Sequence, residues 1–121
     1  MTIKVLLLDD DRAFLTLSRK RLEAEGMTVF TAESWHEVTP ILREEPDIAL
    51  LDVHVPALDG DALADIVKGA HPDIVVLLMS SADEDELARR VSRSRADGYI
   101  SKSASGAELV AAVRRHLRTS S

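Results

Sequence analysis

The stretch Val5-Leu6-Leu7-Leu8-Asp9-Asp10-Asp11 is an apolar run that stops abruptly at three aspartates. The pattern recurs along the chain: the run 48–51 stops at Asp52, and the run 74–79 stops at two serines. Continuous apolar runs of this length are typical of strands buried on both faces of a parallel sheet. Ligands bind such sheets outside the carboxyl ends of the strands, so we expect these polar residues to meet in one crevice.

Segments with helical periodicity separate the apolar runs. Strands that begin near residues 3, 27, 48, 74 and 98 give one strand–helix unit every 21 to 26 residues. The pattern predicts a doubly wound α/β fold, with a five-stranded parallel sheet and helices on both faces. The predicted core-facing helical positions are Phe14, Leu17, Ser18 and Leu22; Leu63, Ile66, Val67 and Ala70; and Val110, Val113 and Leu117.

Helix ends can also be predicted. Asp11 is a candidate N-cap of the first helix, and Gly26 is a candidate C′ residue at its end. Pro40 interrupts the pattern of the second helix. Either a helix that starts near Ser34 is kinked at Pro40, which we favour, or Thr39 caps a shorter helix with Pro40 at its first position.

The length and composition are those of one domain that spans residues 1–121. The absence of cysteine excludes disulfides and thiolate metal sites. The sequence has neither the pattern of a signal peptide nor a stretch long enough to span a membrane, so a cytoplasmic location is predicted.

The net charge of -6 is unevenly distributed. Residues 1–85 hold 7 Lys/Arg against 18 Asp/Glu, a net of -11, whereas residues 86–121 hold 8 against 3, a net of +5. Such asymmetry marks either an interaction face or an ordinary solvated helix surface.

The aspartates that follow the strands suggest a metal site. If strands 1 and 3 are neighbours, their ends lie about 5 Å apart, and Asp9 or Asp10 faces Asp52. Packed carboxylates raise one another's pKa unless a cation lies among them, and Mg²⁺ prefers a few carboxylate oxygens with water and phosphate. The alternative is an aspartate-rich turn that caps helix 1 through Asp11; both roles can hold together.

Four segments together resemble the receiver domain of bacterial two-component response regulators. They are Leu8–Asp11, Leu51–Gly60, the pair Ser81-Ala82, and Tyr99–Lys102. The resemblance covers the whole chain and implies a (βα)5 flavodoxin-like fold. Members of this family commonly have Lys-Pro after strand 5, whereas this chain has Lys102-Ser103. Residues 102–105 instead resemble those of receivers that precede helix-turn-helix output domains. The chain can therefore be either a stand-alone receiver or a piece of a longer regulator.

The resemblance implies a phosphorylation site. Asp52 is the expected phosphoacceptor, and Asp9 and Asp10 are the expected Mg²⁺-binding pair, Asp10 directly and Asp9 partly through water. The backbone carbonyl of His54 is a further expected metal ligand. Lys102 is expected to pair with Asp52 and then with a phosphoryl oxygen.

The resemblance also implies a switch. Ser81 is the expected hydroxyl that moves to the phosphoryl group, Tyr99 the aromatic residue that turns inward with it, and Ala82 the small residue that leaves room for the ring. The side chains of His54 and Asp83 flank the expected path of the hydrolytic water, so they are expected to set the lifetime of the phosphoryl group.

The expected output face is formed by helix 4, strand 5 and helix 5. Its basic residues are Arg89, Arg90, Arg93, Arg114, Arg115 and Arg118, with Arg95 nearby. The expected partners are a sensor histidine kinase or phosphotransfer protein, and an output domain, an effector protein or a second copy of the domain. A basic, aromatic surface is missing, so direct nucleic-acid binding by this domain is not expected. Because no stretch reaches the length of a membrane span, no membrane partner is expected either.

The main interpretation is a binding module controlled by phosphorylation, not an enzyme beyond the reaction at its own Asp52. The first alternative is a Mg²⁺-dependent phosphohydrolase with an aspartate nucleophile, although such enzymes typically carry Asp-x-Asp at the first strand and a substrate-binding insertion. The second is a degenerate receiver that acts as a protein–protein interaction module.

Overall fold

A computed structural model describes residues 2–55, 58–81 and 83–120, with side chains up to residue 118. Strands and helices alternate as β1 (Lys4–Leu8), α1 (Arg12–Glu23), β2 (Thr28–Ala32), α2 (Val38–Leu42), β3 (Ile48–Asp52), α3 (Gly60–Ala70), β4 (Val75–Ser80), α4 (Glu84–Ser92), β5 (Gly98–Ser101) and α5 (Gly106–Ser120). Every strand begins within one residue of its predicted start, so the predicted order of elements is confirmed.

The five strands form a single parallel sheet in the order β2-β1-β3-β4-β5. The register brings the carboxyl ends of the strands to a common edge: Leu8 lies beside Leu51, and Asp52 lies beside Met79. From β1 the chain first continues to β2 on one side of the sheet and then to β3 on the other. At such a change of direction a crevice opens at the carboxyl ends of the two central strands, here β1 and β3. The predicted doubly wound α/β fold is confirmed.

Successive strand residues contact opposite layers of helices. Val5 and Leu7 belong to the core cluster that packs against α1 and α5. Leu6 and Leu8 belong to the second cluster, which packs against α2, α3 and α4. Both sets are at most 1% exposed, which explains why β1 reads as an unbroken apolar run.

Two predicted helix faces need correction. In α1, Leu17 is 70% exposed, and Leu15 is buried in its place with Ser18 and Leu22. In α3, Ile66 is 56% exposed and Ala70 is also exposed, whereas Ala64 is buried between Leu63 and Val67. Each helix is rotated relative to the predicted face, because both have apolar residues at more than one helical phase. The predicted face of α5 is confirmed at Val110 and Val113, with Leu117 half-buried.

Neither interpretation of the second helix matches the structure. A 3₁₀ turn over Trp35–Glu37 leads directly into the short helix α2, whose N-cap is Glu37. Pro40 is the third residue of α2, where a backbone N–H would have no partner within the helix. The structure therefore accommodates Pro40 in the first helical turn, without a cap from Thr39.

The ends of α1 agree closely with the sequence. Asp11 is the N-cap, and its side chain accepts hydrogen bonds from the N–H groups of Ala13 and Phe14, as predicted. The helix ends with Ala24 as C-cap, so Gly26 lies one position beyond the predicted C′. Gly26 has φ +83°, a conformation that favours glycine. In the described part of the chain, no helix combines the length and apolar character needed to cross a membrane.

Candidate functional site

Backbone hydrogen bonds to neighbouring strands fix the residues at the carboxyl edge of the sheet. The N–H of Asp9 donates to Ala32 O at 3.1 Å, so the strand pairing continues one residue past β1. The N–H of Lys102 donates to Ser80 O at 2.9 Å in the same way. Asp52 is itself the last residue of β3. Rigid strand ends therefore hold the three side chains.

Asp9, Asp10 and Asp52 converge into an acidic cluster. One carboxylate oxygen from each residue lies within 4.8 Å of the others. Asp9 is fully buried and Asp52 is 3% exposed, whereas Asp10 is exposed. The structure thus brings together the three carboxylates that were predicted from the strand ends.

Backbone N–H groups orient the two buried carboxylates. Oδ1 of Asp9 accepts a hydrogen bond from the N–H of Asp11 at 2.9 Å, and Oδ1 of Asp52 accepts one from the N–H of His54 at 3.0 Å. Both donors lie two residues after their acceptor, a local turn that aspartate commonly forms. The Oδ2 atoms remain for other partners.

Lys102 lies between the two buried carboxylates. Its Nζ is 2.7 Å from Oδ2 of Asp9 and 3.7 Å from Oδ2 of Asp52, and its side chain is 19% exposed. The short contact with Oδ2 of Asp9 is an ion pair whose angles do not fit a hydrogen bond. Among the described residues, Oδ2 of Asp9 accepts no other hydrogen bond. The Lys102–Ser103 peptide bond is trans.

Burial and charge shift the pKa values of this pair. Burial raises the pKa of Asp9 above its usual 3.8; the Lys102 ammonium and the Asp11 N–H oppose the increase, and the charge of Asp52 adds to it. Burial lowers the pKa of Lys102, but its contact with Asp9 and the charges of Asp52, Asp9 and Asp11 outweigh burial and raise the pKa above 10.5. Lys102 is therefore charged at neutral pH.

The cluster has the charge and the donor atoms that suit a divalent cation. With all three carboxylates ionised, Asp9, Asp10 and Asp52 carry three negative charges against one positive charge on Lys102, so the cluster lacks two positive charges. Opposite ligands of Mg²⁺ lie about 4.2 Å apart, close to the observed spread of the oxygens. A buried carboxylate oxygen without an aligned donor adds to this fit. The residues therefore fit a magnesium site.

Gly60 allows α3 to begin against the strand that carries Asp52. A Cβ atom at Gly60 would lie 2.5 Å from the backbone oxygen of Asp52 and 2.8 Å from Cα of Val53. Any side chain here would push the start of α3 away from the site. Gly60 is the last residue of the motif Leu51–Gly60, and the close approach to Asp52 gives the steric reason for a glycine there.

The predicted switch residues belong to the neighbouring strands β4 and β5 or directly follow them. Ser81 is exposed directly after β4, and half-buried Tyr99 packs against the second core cluster from β5. Both line a groove of about 790 Å³ between α4, β5 and α5. Ala82 lies outside the described residues.

The two residues predicted to tune dephosphorylation have different structural settings. His54 is exposed, and its backbone N–H is the group that holds Asp52. Asp83 is the N-cap of α4, where its side chain accepts a hydrogen bond from the N–H of Glu86 at 2.8 Å. Its side chain therefore has a structural partner at the start of α4.

The predicted basic face is divided in the structure. Arg90 points towards α3, where it pairs with Asp61 at 3.1 Å, and Arg114 reaches Glu25 at 3.7 Å after α1. Arg114 and Arg118 line a depression at the opposite, amino-terminal edge of the sheet, whereas Arg115 lines the groove that contains Tyr99. Arg89, Arg93 and Arg95 are exposed. The six predicted arginines thus do not lie on one surface.

One contact of the site was not predicted from the sequence. Nζ of Lys102 lies 4.8 Å from the centre of the Phe14 ring, in the first turn of α1. From the sequence, Phe14 was predicted only as a core position, because a contact between α1 and the residue after β5 has no local signal.

Fold and site together define the class: a five-stranded α/β domain with three carboxylates and one lysine at the carboxyl edge of its parallel sheet. Comparison with known proteins identifies the family. Residues 5–114 match the response regulator receiver domain family. The chain therefore belongs to this family and is a response regulator receiver domain of two-component signalling.

Curated relatives include three regulators. The chain is 35% identical to the response regulator GacA of Pseudomonas syringae over 93% of this chain and 54% of the relative, and 32% identical to the transcriptional regulatory protein CpxR of Escherichia coli over 97% and 50%. It is 31% identical to the response regulator MprA of Mycobacterium tuberculosis over 98% and 52%. The chain spans about half the length of these relatives.

Solved structures agree on the fold. A CheY-like response regulator receiver domain protein from Methanospirillum hungatei matches with a TM-score of 0.90 at 25% identity, covering 99% of this chain and 97% of that chain. The resemblance drawn from four sequence segments is thereby confirmed at the level of the family.

Proposed function

We propose that the chain accepts a phosphoryl group on Asp52 in a Mg²⁺-dependent reaction, and that residues 1–121 act as one receiver domain. The observation that carries the proposal is the pair of buried carboxylates, Asp9 and Asp52, that share the Lys102 ammonium at adjacent strand ends. Such an arrangement joins a nucleophile to a positive charge and a site for a divalent cation.

The reaction forms one bond and breaks one. A carboxylate oxygen of Asp52 bonds to phosphorus, the bond from phosphorus to the donor breaks, and its electron pair leaves with the donor. The product is an aspartyl phosphate. Because the N–H of His54 holds Oδ1 of Asp52, the carboxylate is oriented before the donor arrives.

The cation would be held by the carboxylates of Asp9, Asp10 and Asp52 and by the backbone carbonyl of His54. Bound Mg²⁺ supplies neutralisation of the charge on the phosphoryl oxygens. Lys102, which already lies 3.7 Å from Asp52, would contribute a second positive charge to a phosphoryl oxygen.

A phosphoryl group on Asp52 would change the conformation of the groove between α4, β5 and α5. Phosphorylation adds nearly two negative charges and strong acceptor oxygens, which can draw the Ser81 hydroxyl towards Asp52. Tyr99 lines the same groove as Ser81, so its ring could follow the loop inward, with space at Ala82 as the sequence suggests. The output surface would then consist of this groove, which Arg115 lines, and of the exposed Arg89 and Arg93. Arg90 and Arg114 would not belong to it, because they pair with Asp61 and Glu25.

The proposed donor is a sensor histidine kinase or a phosphotransfer protein in the cytoplasm, and the proposed recipient of the signal is an output domain, an effector or a second copy. The domain would catalyse only transfer to Asp52 and hydrolysis from it. Changes at His54 or Asp83 should alter the rate of dephosphorylation more than the capacity for phosphorylation, although changes at Asp83 will also weaken the start of α4.

Intact mass after incubation with a small-molecule phosphodonor tests the proposal. With Mg²⁺ we expect one phosphoryl adduct on the wild type, and without Mg²⁺ a strongly reduced adduct. Asp52→Asn should abolish the adduct. Asp59→Asn is the matched control, because Asp59 is exposed and its side chain makes no capping hydrogen bond at α3. If the wild type gains no adduct, the chain is a degenerate receiver; if Asp52→Asn keeps it, the phosphoacceptor is wrong.

A further inference from the structure

Phe14 lies next to the lysine of the site. The distance of 4.8 Å between Nζ of Lys102 and the ring centre is within the range of a cation–π contact, which extends to about 6 Å. The ring is half-buried and packs against the core cluster beside α1 and α5. Its position is therefore fixed by packing and not by Lys102 alone.

The start of α1 also fixes Phe14 relative to the acidic cluster. The N–H of Phe14 donates to Oδ1 of Asp11 at 3.2 Å, and the N–H of Asp11 donates to Oδ1 of Asp9 at 2.9 Å. These two hydrogen bonds connect the backbone of Phe14 to Asp9, the residue that pairs with Lys102. The contact is thus built into the same turn that carries the proposed metal ligands.

The three partners that the Lys102 ammonium has among the described residues differ in one chemical respect. Asp9 and Asp52 are anions whose oxygens would be taken by a cation and by a phosphoryl group in the proposed reaction. The Phe14 ring is neutral and forms no bond in that reaction. It can therefore remain in contact with the ammonium when the two carboxylates change partners.

We propose that Phe14 is a positioning residue that holds the Lys102 ammonium at the phosphorylation site through its ring face. The inference rests on the proposed function. Lys102 has a flexible four-carbon side chain, so a fixed neutral contact reduces the freedom that would be lost when the ammonium binds a phosphoryl oxygen. Without the ring face, Lys102 would occupy the productive position for a smaller fraction of the time.

A simple truncation would not test this inference, because Phe14→Leu also changes the packing of α1. Fluorinated phenylalanines separate the two roles: fluorine withdraws charge from the ring face and weakens cation–π attraction with little change in size. The experiment introduces mono-, di- and trifluorophenylalanine at position 14 in the full chain. It measures the rate of phosphorylation by a small-molecule phosphodonor with Mg²⁺, and the urea unfolding midpoint of each variant.

The rate should fall progressively with fluorination, by about two- to fivefold at three fluorines, while the unfolding midpoint changes little. Phe30 is the matched control, since it is the second of the two phenylalanines, is also half-buried and lies in β2 beside Leu6. The same series at position 30 should leave the rate unchanged.

The outcomes separate the two proposals. A phosphorylated wild type with a rate that does not depend on fluorination at position 14 would overturn the role of Phe14 and leave the proposed function intact. An equal decline at positions 14 and 30 would also overturn it. A wild type that accepts no phosphoryl group would overturn the proposed function, and this inference with it.

Discussion

At the scale of single residues, Asp9 is a carboxyl group whose burial disfavours its charged form. Its pKa lies above the usual 3.8 because desolvation outweighs the Lys102 ammonium and the Asp11 N–H. A carboxyl whose pKa is raised by folding lowers stability once the pH rises above its unfolded pKa. In the absence of a cation, the buried charge of Asp9 therefore lowers stability at neutral pH.

We expect Asp9→Asn to raise the urea unfolding midpoint at pH 7 without Mg²⁺. Asparagine keeps an acceptor for the Asp11 N–H but removes the buried charge, and Lys102 keeps Asp52 as a partner. The advantage should shrink as the pH falls towards 3.8 and vanish well below it, because Asp9 is then protonated in both states. Asp10→Asn, at an exposed position, should have a smaller effect. A lower midpoint for Asp9→Asn at pH 7 would show that burial of this charge costs little.

Gly60→Ala should destabilise the protein by about 1–3 kcal/mol, because its Cβ would lie 2.5 Å from the Asp52 backbone oxygen and the backbone would have to shift. Gly69→Ala, in the same helix, is the control. Its Cβ would meet only the flexible end of Arg95 at 3.3 Å, so better helix propensity should leave stability equal or higher by about 0.5–1 kcal/mol. Urea unfolding of both variants measures the difference; equal effects would contradict the steric argument.

At the scale of helices and strands, α4 is tied to α3 by a partly buried ion pair. Arg90 contacts Asp61 at 3.1 Å and Glu86 at 3.3 Å, and the side chains of Arg90 and Asp61 are only 18% and 27% exposed. Asp61 follows Gly60 at the start of α3, close to the strand that carries Asp52. The pair therefore connects the surroundings of Asp52 to α4, which forms one wall of the groove that contains Tyr99.

A double-mutant cycle with Asp61→Asn and Arg90→Gln should give a coupling energy of about 1 kcal/mol in urea unfolding. The exposed pair Arg19–Glu23, within α1, is the control and should give about 0.3–0.5 kcal/mol. The difference follows from lower solvent screening around Arg90. A coupling for Arg90–Asp61 no larger than the control value would mean that this contact does not hold α3 and α4 together.

The least predictable feature was which face of each helix is buried and which is exposed. In α1, Phe14, Leu15 and Leu17 offer two apolar phases, and only packing on the sheet selects Leu15 over Leu17. In α3 the small residue Ala64 is buried and the larger Ile66 is exposed, in a helix whose first residue, Gly60, lies close against the backbone of Asp52. Arg90, Arg114 and Arg118 were assigned to the wrong surface for the same reason, since helix rotation depends on tertiary contacts.

The strand ends were predictable because their signal is local. A continuous apolar run marks a buried parallel strand, and the next polar residue must emerge at the carboxyl edge. This rule predicted the positions of Asp9, Asp52 and Lys102. The N-cap at Asp11 was predicted from the preference for aspartate at the start of a helix. The Phe14 ring and the His54 N–H took their roles from contacts that no short sequence pattern records.

At the scale of the whole molecule, a bound cation should stabilise the fold. A ligand that binds only the folded state adds RT ln(1 + [L]/Kd), which is about 1.4 kcal/mol at ten times the dissociation constant. We expect the unfolding free energy to rise with Mg²⁺ in this way, with NaCl of equal ionic strength as control. Asp10→Asn should weaken the dependence. A response to Mg²⁺ no greater than to NaCl would exclude a specific site in the acidic cluster.

The most direct test of the central claim is to map the phosphoryl group. After treatment with a phosphodonor and Mg²⁺, borohydride reduces an aspartyl phosphate to homoserine, which peptide mass spectrometry locates in the sequence. The account predicts homoserine at position 52, and none at the neighbouring aspartates at positions 9, 10, 11 or 59. Homoserine at one of those positions, or at none, would contradict the assignment of Asp52 as the phosphoacceptor.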